Sequence, residues 1–412
     1  MKLSMQQRAV LAGKGGAGAA KAMEILSALG VIEGAPDMVE VGSAQVSGIS
    51  YKNIGEHGLS FLEDWAAMGS KAVVPAFMNP GGADRRLWKS LGFPAAFVAK
   101  QERVIAALER LGVRPTLTCT PYHAGCVPRL GEHVAWAESS AVCYANSVLG
   151  ARTNREGGPS ALAAALTGVT PRHTLHTDEG RRPTRLVSVR CPVETGADAG
   201  ALGNVIGRLA ASDPGGGIPY ITGVEPPPEP ARTAWLKALG AGMAASGSTG
   251  LYHIEHITPE AKALGQKLLS KAKKRSEIRS LDEGYERLRT GKGKIDLVAL
   301  GCPHASLEEL KNIKDILRGR KVRLPTWIFA SEAVRQAAAG ADLAKELKKT
   351  GVSLLADTCM VVAPMKEMGI RTIATDSGKA AHYMPSHHGI GVYFGSTEEC
   401  LEAAVRGRWE RP

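Results

Sequence analysis

The chain has 412 residues, 44% apolar and 22% charged, ordinary globular proportions that exclude a disordered tract, a collagen-like repeat or a coiled coil as its main architecture. Lysine and arginine outnumber aspartate and glutamate by 51 to 40, a net charge of +11 that suits anionic ligands or an acidic partner. No apolar run reaches the roughly 18 residues of a membrane span, and the first residues lack a signal-peptide pattern, so a cytoplasmic location is expected.

Helix and strand signals alternate along the chain, the pattern of α/β architecture with mainly parallel sheets. The first third reads as a helix over 17–29, a strand at 38–41, a helix over 59–68 and a strand at 72–76. A helix over 98–111 then stops at Gly112 before an extended stretch at 115–118. The middle carries an expected helix over 133–148, turns at 151–170 with a short helix around Leu162, a strand at 184–193, a helix over 199–211 and a tight turn at 213–217. The proline-rich run 226–230 is a stiff boundary or surface arm. The last third gives a strand at 295–300, a helix opened by Ser306 and Glu309 as a capping box, a strand at 327–330 and a helix over 332–349 ended by Gly351. Strands at 352–355, 371–374 and 390–394 and a helix over 397–405 complete it. At roughly 150 residues per domain the length implies two or three units, drawn at 1–130, 131–290 and 291–412.

Seven cysteines, an odd number without a CxxC pair, argue against a disulfide framework. Three of them follow predicted strands: Cys119 in PTLTCTPYHAG, Cys302 in DLVALGCPHAS and Cys359 in SLLADTCMVVAP. In open α/β sheets, ligands gather beyond the carboxyl ends of strands, so these residues can converge although distant in sequence. Three such thiolates would hold an iron-sulfur cluster and leave one iron without a protein ligand. On spacing alone the alternative stays open, that each fills space at a strand end. Cys126, Cys143, Cys191 and Cys400 look inert by position. Polar, glycine-rich turns follow other strands: the run from Ser47 through Gly48, Ile49 and Ser50 to Lys52, then Asn79 with Pro80, and Lys379 after Asp376. The loop carrying Arg152, Asn154 and Arg155 concentrates donors suited to a carboxylate or phosphate.

Other patterns carry less. The glycine run at 13–18 follows a polar segment rather than a buried strand, and no Ser or Thr succeeds Lys14 as a phosphate loop requires. His253 and His256 on a strand would face opposite sides. The basic run at 271–275 reads as the solvated face of a charged helix.

The runs SGISYKNIG, NPGG, CTPY, GARTNREGGPSALAAALTG, GCPH, DTC and DSGKAAHY together resemble the large subunit of the aconitase X family over nearly the whole chain. The resemblance implies an aconitase-like fold, several α/β lobes around a central iron-sulfur site. Its matching ligands are Cys119, Cys302 and Cys359, and the cluster is expected to be 4Fe-4S with one iron lacking a protein ligand. It implies a hydro-lyase acting on a small anionic hydroxy acid. The family's substrates include (R)-5-phosphomevalonate, of an archaeal-type isoprenoid route, and cis-3-hydroxy-L-proline; the basic charge and thermophile-like composition favour the phosphorylated acid. The family's mobile swivelling domain is expected on a separate small subunit that also carries the serine base. In that picture Ser47, Gly48, Ile49, Ser50, Asn79 and Pro80 orient the substrate, with Glu138, Ser139, Arg152, Asn154 and Arg155 as further contacts. Lys379 stabilises developing negative charge. No nucleic acid or membrane is expected as a partner. The rival classes are a zinc or redox protein using the same cysteines and a basic nucleic-acid binder.

Overall fold

The computed structural model describes residues 1–213 and 215–410. Residue 214, within the turn expected at 213–217, and the side chain of Lys271, within the basic run, lie outside the described residues. Three parallel sheets dominate. A three-stranded sheet runs in the order Ala76–Met78, Ala44–Val46, Ala135–Trp136, and a four-stranded sheet in the order His253–Ile254, Pro219–Thr222, Arg185–Val189, Lys274–Ile278. The five-stranded sheet runs Ser353–Leu355, Thr326–Ala330, Leu297–Ala305, Thr372–Thr375, Gly391–Phe394, again all parallel. Its three inner strands are buried almost throughout, as expected when both faces of a parallel sheet are covered. Among the described residues, the one antiparallel strand pair joins Met38–Glu40 to Val169–Pro171.

Long, amphipathic segments match the sequence reading. Helices form at Ala17–Ile32, Ala95–Arg110, Gly158–Thr167 and Gly196–Ala211, and Ser306 and Glu309 make the capping box of Leu307–Leu317. The strand expected at 72–76 instead begins at Ala76, because the residues before it turn off Gly69 and only then join Ala44–Val46. The helix expected over 133–148 is a correction. Ala135–Trp136 pairs with the Ala44–Val46 strand, and helix starts only at Ser139, where the Glu138 side chain caps it. The helix expected over 332–349 divides into Glu332–Gly340 and Leu343–Lys349 at Asp342, whose left-handed backbone (φ 55°) cannot continue a right-handed helix. The basic run lies on the short 3-10 segment Gly265–Lys271 and the edge strand Lys274–Ile278 rather than on a helix, although Lys274 and Arg275 are solvated.

The helix Ala231–Gly247, missed in the sequence, packs on Gly196–Ala211 through glycines. A Cβ on Gly203 would stand 2.4 Å from the Leu239 carbonyl oxygen, so the two backbones touch directly. One turn away, a Cβ on Gly378 would stand 2.8 Å from the Gly200 carbonyl. That contact seats the N-terminus of Gly378–Tyr383, the helix bearing Lys379, on the middle of the molecule.

Candidate active site

Two of the parallel sheets present their carboxyl ends to the same space. From the three-stranded sheet, Ser47 follows Ala44–Val46, Asn79 follows Ala76–Met78 and Glu138 comes two residues after Ala135–Trp136. The five-stranded sheet contributes Cys302 within Leu297–Ala305, Cys359 beyond Ser353–Leu355 and Lys379 beyond Thr372–Thr375. Between them lies a cavity of about 410 Å³ whose wall includes Cys119, Cys302 and Cys359, and also Ser47, Gly48, Ile49, Asn79, Pro80, Glu138, Ser139, Arg155 and Lys379. A second cavity, about 310 Å³, shares Cys302 and Lys379 with it.

The three cysteines reach the wall by different local devices. Cys302 sits inside its strand, at a register shift between Leu300 and Ala305 where Gly301 adopts φ 84°, so the irregularity turns the thiol off the sheet. The segment before Cys119 is not a regular strand; Arg114 and Thr118 donate from it to the Ala76 and Met78 carbonyls at 2.9 and 3.1 Å. Cys359 lies on a loop fastened to the NPGG turn by Gly81, which donates to the Asp357 carbonyl at 2.8 Å, and by the buried Asp84, which accepts from the Ala356 N–H at 2.7 Å. All three thiols are buried. Burial is the leading cause that raises each of them, Cys119 to about 12. The charges of the other cysteines push Cys119 and Cys359 further up, while Lys379 opposes the rise in all three. Among the described residues, no three His, Cys, Asp or Glu side chains stand close enough to hold a single metal ion.

Lys379 and Glu138 form a buried ion pair across the cavity wall. Glu138 also accepts from the Ser140 N–H at 3.2 Å, the Ser140 hydroxyl at 2.9 Å and Asn79 Nδ2 at 3.1 Å. Burial alone would raise its carboxyl, but the Lys379 charge and these donors hold it well below the usual carboxylate range. Burial likewise works against the Lys379 ammonium, and Glu138, Cys302 and Cys119 more than reverse that, so the lysine stays charged. Glu138 and Lys379 stand at equivalent places. Each lies at or next to the N-terminus of a six-residue helix, Ser139–Tyr144 or Gly378–Tyr383, that continues into a π-helical turn, Ala145–Leu149 or Met384–His388, and ends on a left-handed glycine.

Three expected contacts lie elsewhere. Ser50 is not on that wall; its hydroxyl donates to the Val362 carbonyl at 2.9 Å. Arg152 pairs with Asp178, and Asn154 accepts from the Leu175 N–H at 2.9 Å while donating to the His173 carbonyl at 3.2 Å. In an extended loop neighbouring side chains point to opposite sides, so Arg155 meets the cavity while Arg152 and Asn154 fasten the loop to 173–178. Sequence reasoning missed Tyr383, His387 and His388 on the wall. The His388 ring links Lys52 Nζ at 2.8 Å to the Val361 carbonyl at 2.7 Å. No pattern in the sequence marks that link. His304 was also missed as a structural residue, although it lies two positions after Cys302.

Of the motifs set aside, His253 is buried with Nε2 at 3.0 Å from the Arg181 carbonyl, and His256 is exposed. Cys143 and Cys400 are fully buried within helices. Among the described residues no helix is long and apolar enough to cross a membrane.

Comparison with known proteins covers almost the entire chain. Models for the aconitase X first, second and third domains match residues 1–179, 183–288 and 295–406. The phosphomevalonate dehydratase large subunit of Methanothermobacter thermautotrophicus is 44% identical over 376 residues, 91% of each chain. The protein of the same name from Methanocaldococcus jannaschii is 41% identical over 98% of this chain and all of that one. The cis-3-hydroxy-L-proline dehydratase of Pseudomonas aeruginosa is 35% identical over 99% of this chain but 70% of its own length. The crystal structure of Thermococcus kodakaraensis aconitase X in its holo-form superposes with a TM-score of 0.89 at 40% identity, over 98% of this chain and all of that one.

Proposed function

The chain belongs to the aconitase X family, and from that premise we propose that it is the large subunit of a phosphomevalonate dehydratase. It is a hydro-lyase component, removing water from (R)-5-phosphomevalonate to give trans-anhydromevalonate 5-phosphate. The observation that carries this reading is the cavity on which three buried cysteines from separate segments meet hydroxyl, amide and cationic groups. Relatives named for phosphomevalonate share 34–44% identity and are matched over 91–100% of their own length, whereas the hydroxyproline enzymes share 34–35% over 70% of theirs and are longer chains.

The donor set fits an iron-sulfur cluster, for which the family and the holo-form relative speak. Buried thiols that are costly to ionise alone become favourable thiolates beside a multiply charged metal core. We assign to Cys119, Cys302 and Cys359 a 4Fe-4S cluster with one iron free of protein ligands, as the resemblance to the family implies. When bound, such a group supplies a Lewis acid toward the substrate's hydroxyl and carboxylate.

The chain's own residues supply binding and charge. Lys379 remains an ammonium in a dry wall, where its charge is effective against negative charge developing on the substrate. Glu138 is too weak a base to take a proton near neutral pH; its part is to hold Lys379 and Asn79 in place. The turn at Ser47, Gly48 and Ile49, with Asn79, Pro80 and Ser139, orients the acid. Arg155 and Lys52 give the same cavity a cationic side that suits a phosphate. The names of the relatives point to a small subunit as partner; the proton-abstracting serine is assigned to it. The test is to co-purify both subunits anaerobically and follow 5-phosphomevalonate by NMR. Loss of that compound with appearance of the anhydro product is expected, and turnover of cis-3-hydroxyproline in its place would overturn the assignment.

A further inference from the structure

His304 is fully buried, yet all four of its polar groups are engaged. Its backbone N–H donates to the Cys119 sulfur at 3.2 Å. Its ring nitrogens lie 3.0 Å from the Thr118 hydroxyl and 2.9 Å from the Thr358 carbonyl, and its own carbonyl accepts from Lys237 Nζ at 3.0 Å. A carbonyl only accepts, so Nε2 carries the proton and Nδ1 accepts from Thr118. The Thr118 hydroxyl in turn accepts from the Thr120 N–H at 3.1 Å and lies 3.2 Å from the Thr120 hydroxyl. The partners span the chain: Thr118 and Cys119 fall in the segment matching the first domain, Lys237 in the second, and Thr358 with His304 itself in the third.

We propose that His304 is the positioning residue that locks the three cysteine-bearing segments together. It is two residues from Cys302, its ring bonds the residue before Cys119 and the residue before Cys359, and its backbone N–H donates to one of the three sulfurs. The proposal rests on the reading that these cysteines hold an iron-sulfur group. A neutral ring with one donor and one acceptor sets the spacing between the loops of Cys119 and Cys359, and the N–H···S bond withdraws negative charge from the Cys119 thiolate. Neither effect requires His304 to touch substrate.

The test compares His304→Leu, His304→Gln and Thr118→Val with Cys302→Ser in the complex of both subunits, purified anaerobically. Iron per complex, the visible and EPR spectra, and the rate of iron release to a chelator are measured. After metal removal, the rate at which the cysteine thiols react with a disulfide reagent is measured as well. His304→Leu should lower bound iron at least tenfold and speed thiol reaction of the metal-free complex about tenfold. His304→Gln, which keeps an amide donor for Thr358, should retain iron within about twofold of wild type with a shifted spectrum. Wild-type iron content, spectrum and chelator rate in His304→Leu would overturn the proposal. If that variant does not fold, Thr118→Val decides: about tenfold faster iron release supports the proposal, and an unchanged rate overturns it. Iron retained by Cys302→Ser would instead remove the cluster reading beneath it.

Discussion

Replacing Lys379 by Met removes the ammonium from a pair whose side chains are only 9% and 11% exposed. Glu138 would keep two contacts from Ser140, one from Asn79 and a longer one from the Ser139 hydroxyl, all neutral donors. Removing one partner of a buried ion pair costs about 3–5 kcal/mol, because the remaining charge is left in a poor solvent. The pH dependence gives the sign. In the wild type, the lowered Glu138 contributes stability that is present above its unfolded value of about 4.3 and lost as pH falls through the folded value. The raised Lys379 contributes stability present below about 10.4 and lost as pH rises through its folded value. Between about pH 5 and 9 the pair's contribution is therefore flat. In Lys379→Met, burial is no longer opposed, so the Glu138 carboxyl moves above its ordinary value and stability falls with rising pH by about 1.4 kcal/mol per unit until that carboxyl ionises. Urea unfolding at pH 5 and pH 8 should show the variant already less stable than wild type at pH 5, where it lacks the pair's contribution, and about 3–5 kcal/mol less stable at pH 8, the gap widening as pH rises. Adding Glu138→Gln should recover most of the loss at pH 8. A single variant within about 1 kcal/mol of wild type at pH 8, or one indifferent to pH, would refute the account of a dry, mutually dependent pair.

Three further outcomes follow from the same geometry. Cys302→Ser should abolish both the brown colour and dehydratase activity, as read by iron analysis and the NMR assay; an active, iron-loaded variant contradicts the ligand assignment. Arg155→Gln should raise KM for 5-phosphomevalonate by about 10- to 150-fold, the equivalent of a charged hydrogen bond of about 1.5–3 kcal/mol, with a smaller change in kcat. An unchanged KM would move the phosphate elsewhere in the cavity. Asp84→Asn should destabilise the protein by about 2–4 kcal/mol. Asp84 is wholly buried and accepts from the Arg86, Leu87 and Ala356 N–H groups at 2.7–2.8 Å and from Arg335 at 2.9 Å, and an amide cannot satisfy four donors. Faster reaction of Cys359 with a thiol reagent in the metal-free protein should accompany the loss.

The sequence by itself determined the class of fold, the long amphipathic helices, most strands of the last third and the three cysteines worth pursuing, because periodicity, capping and strand-end placement are local properties of the chain. It carried less where local signals conflict with tertiary ones. The apolar run at 133–148 has helical periodicity, yet Ala135 and Trp136 pair as a strand because the edge of Ala44–Val46 stands open beside them. The helix Ala231–Gly247 was missed although it buries Trp235, Leu239 and Met243, and the glycines among them count only through how closely another backbone approaches. Only the tertiary structure separated Arg155 from Arg152 and Asn154, paired Lys379 with Glu138 across 241 positions, and joined Thr118, Lys237 and Thr358 on His304. Those choices depend on which buried polar groups find one another once the sheets are assembled, and no short stretch of sequence contains both partners.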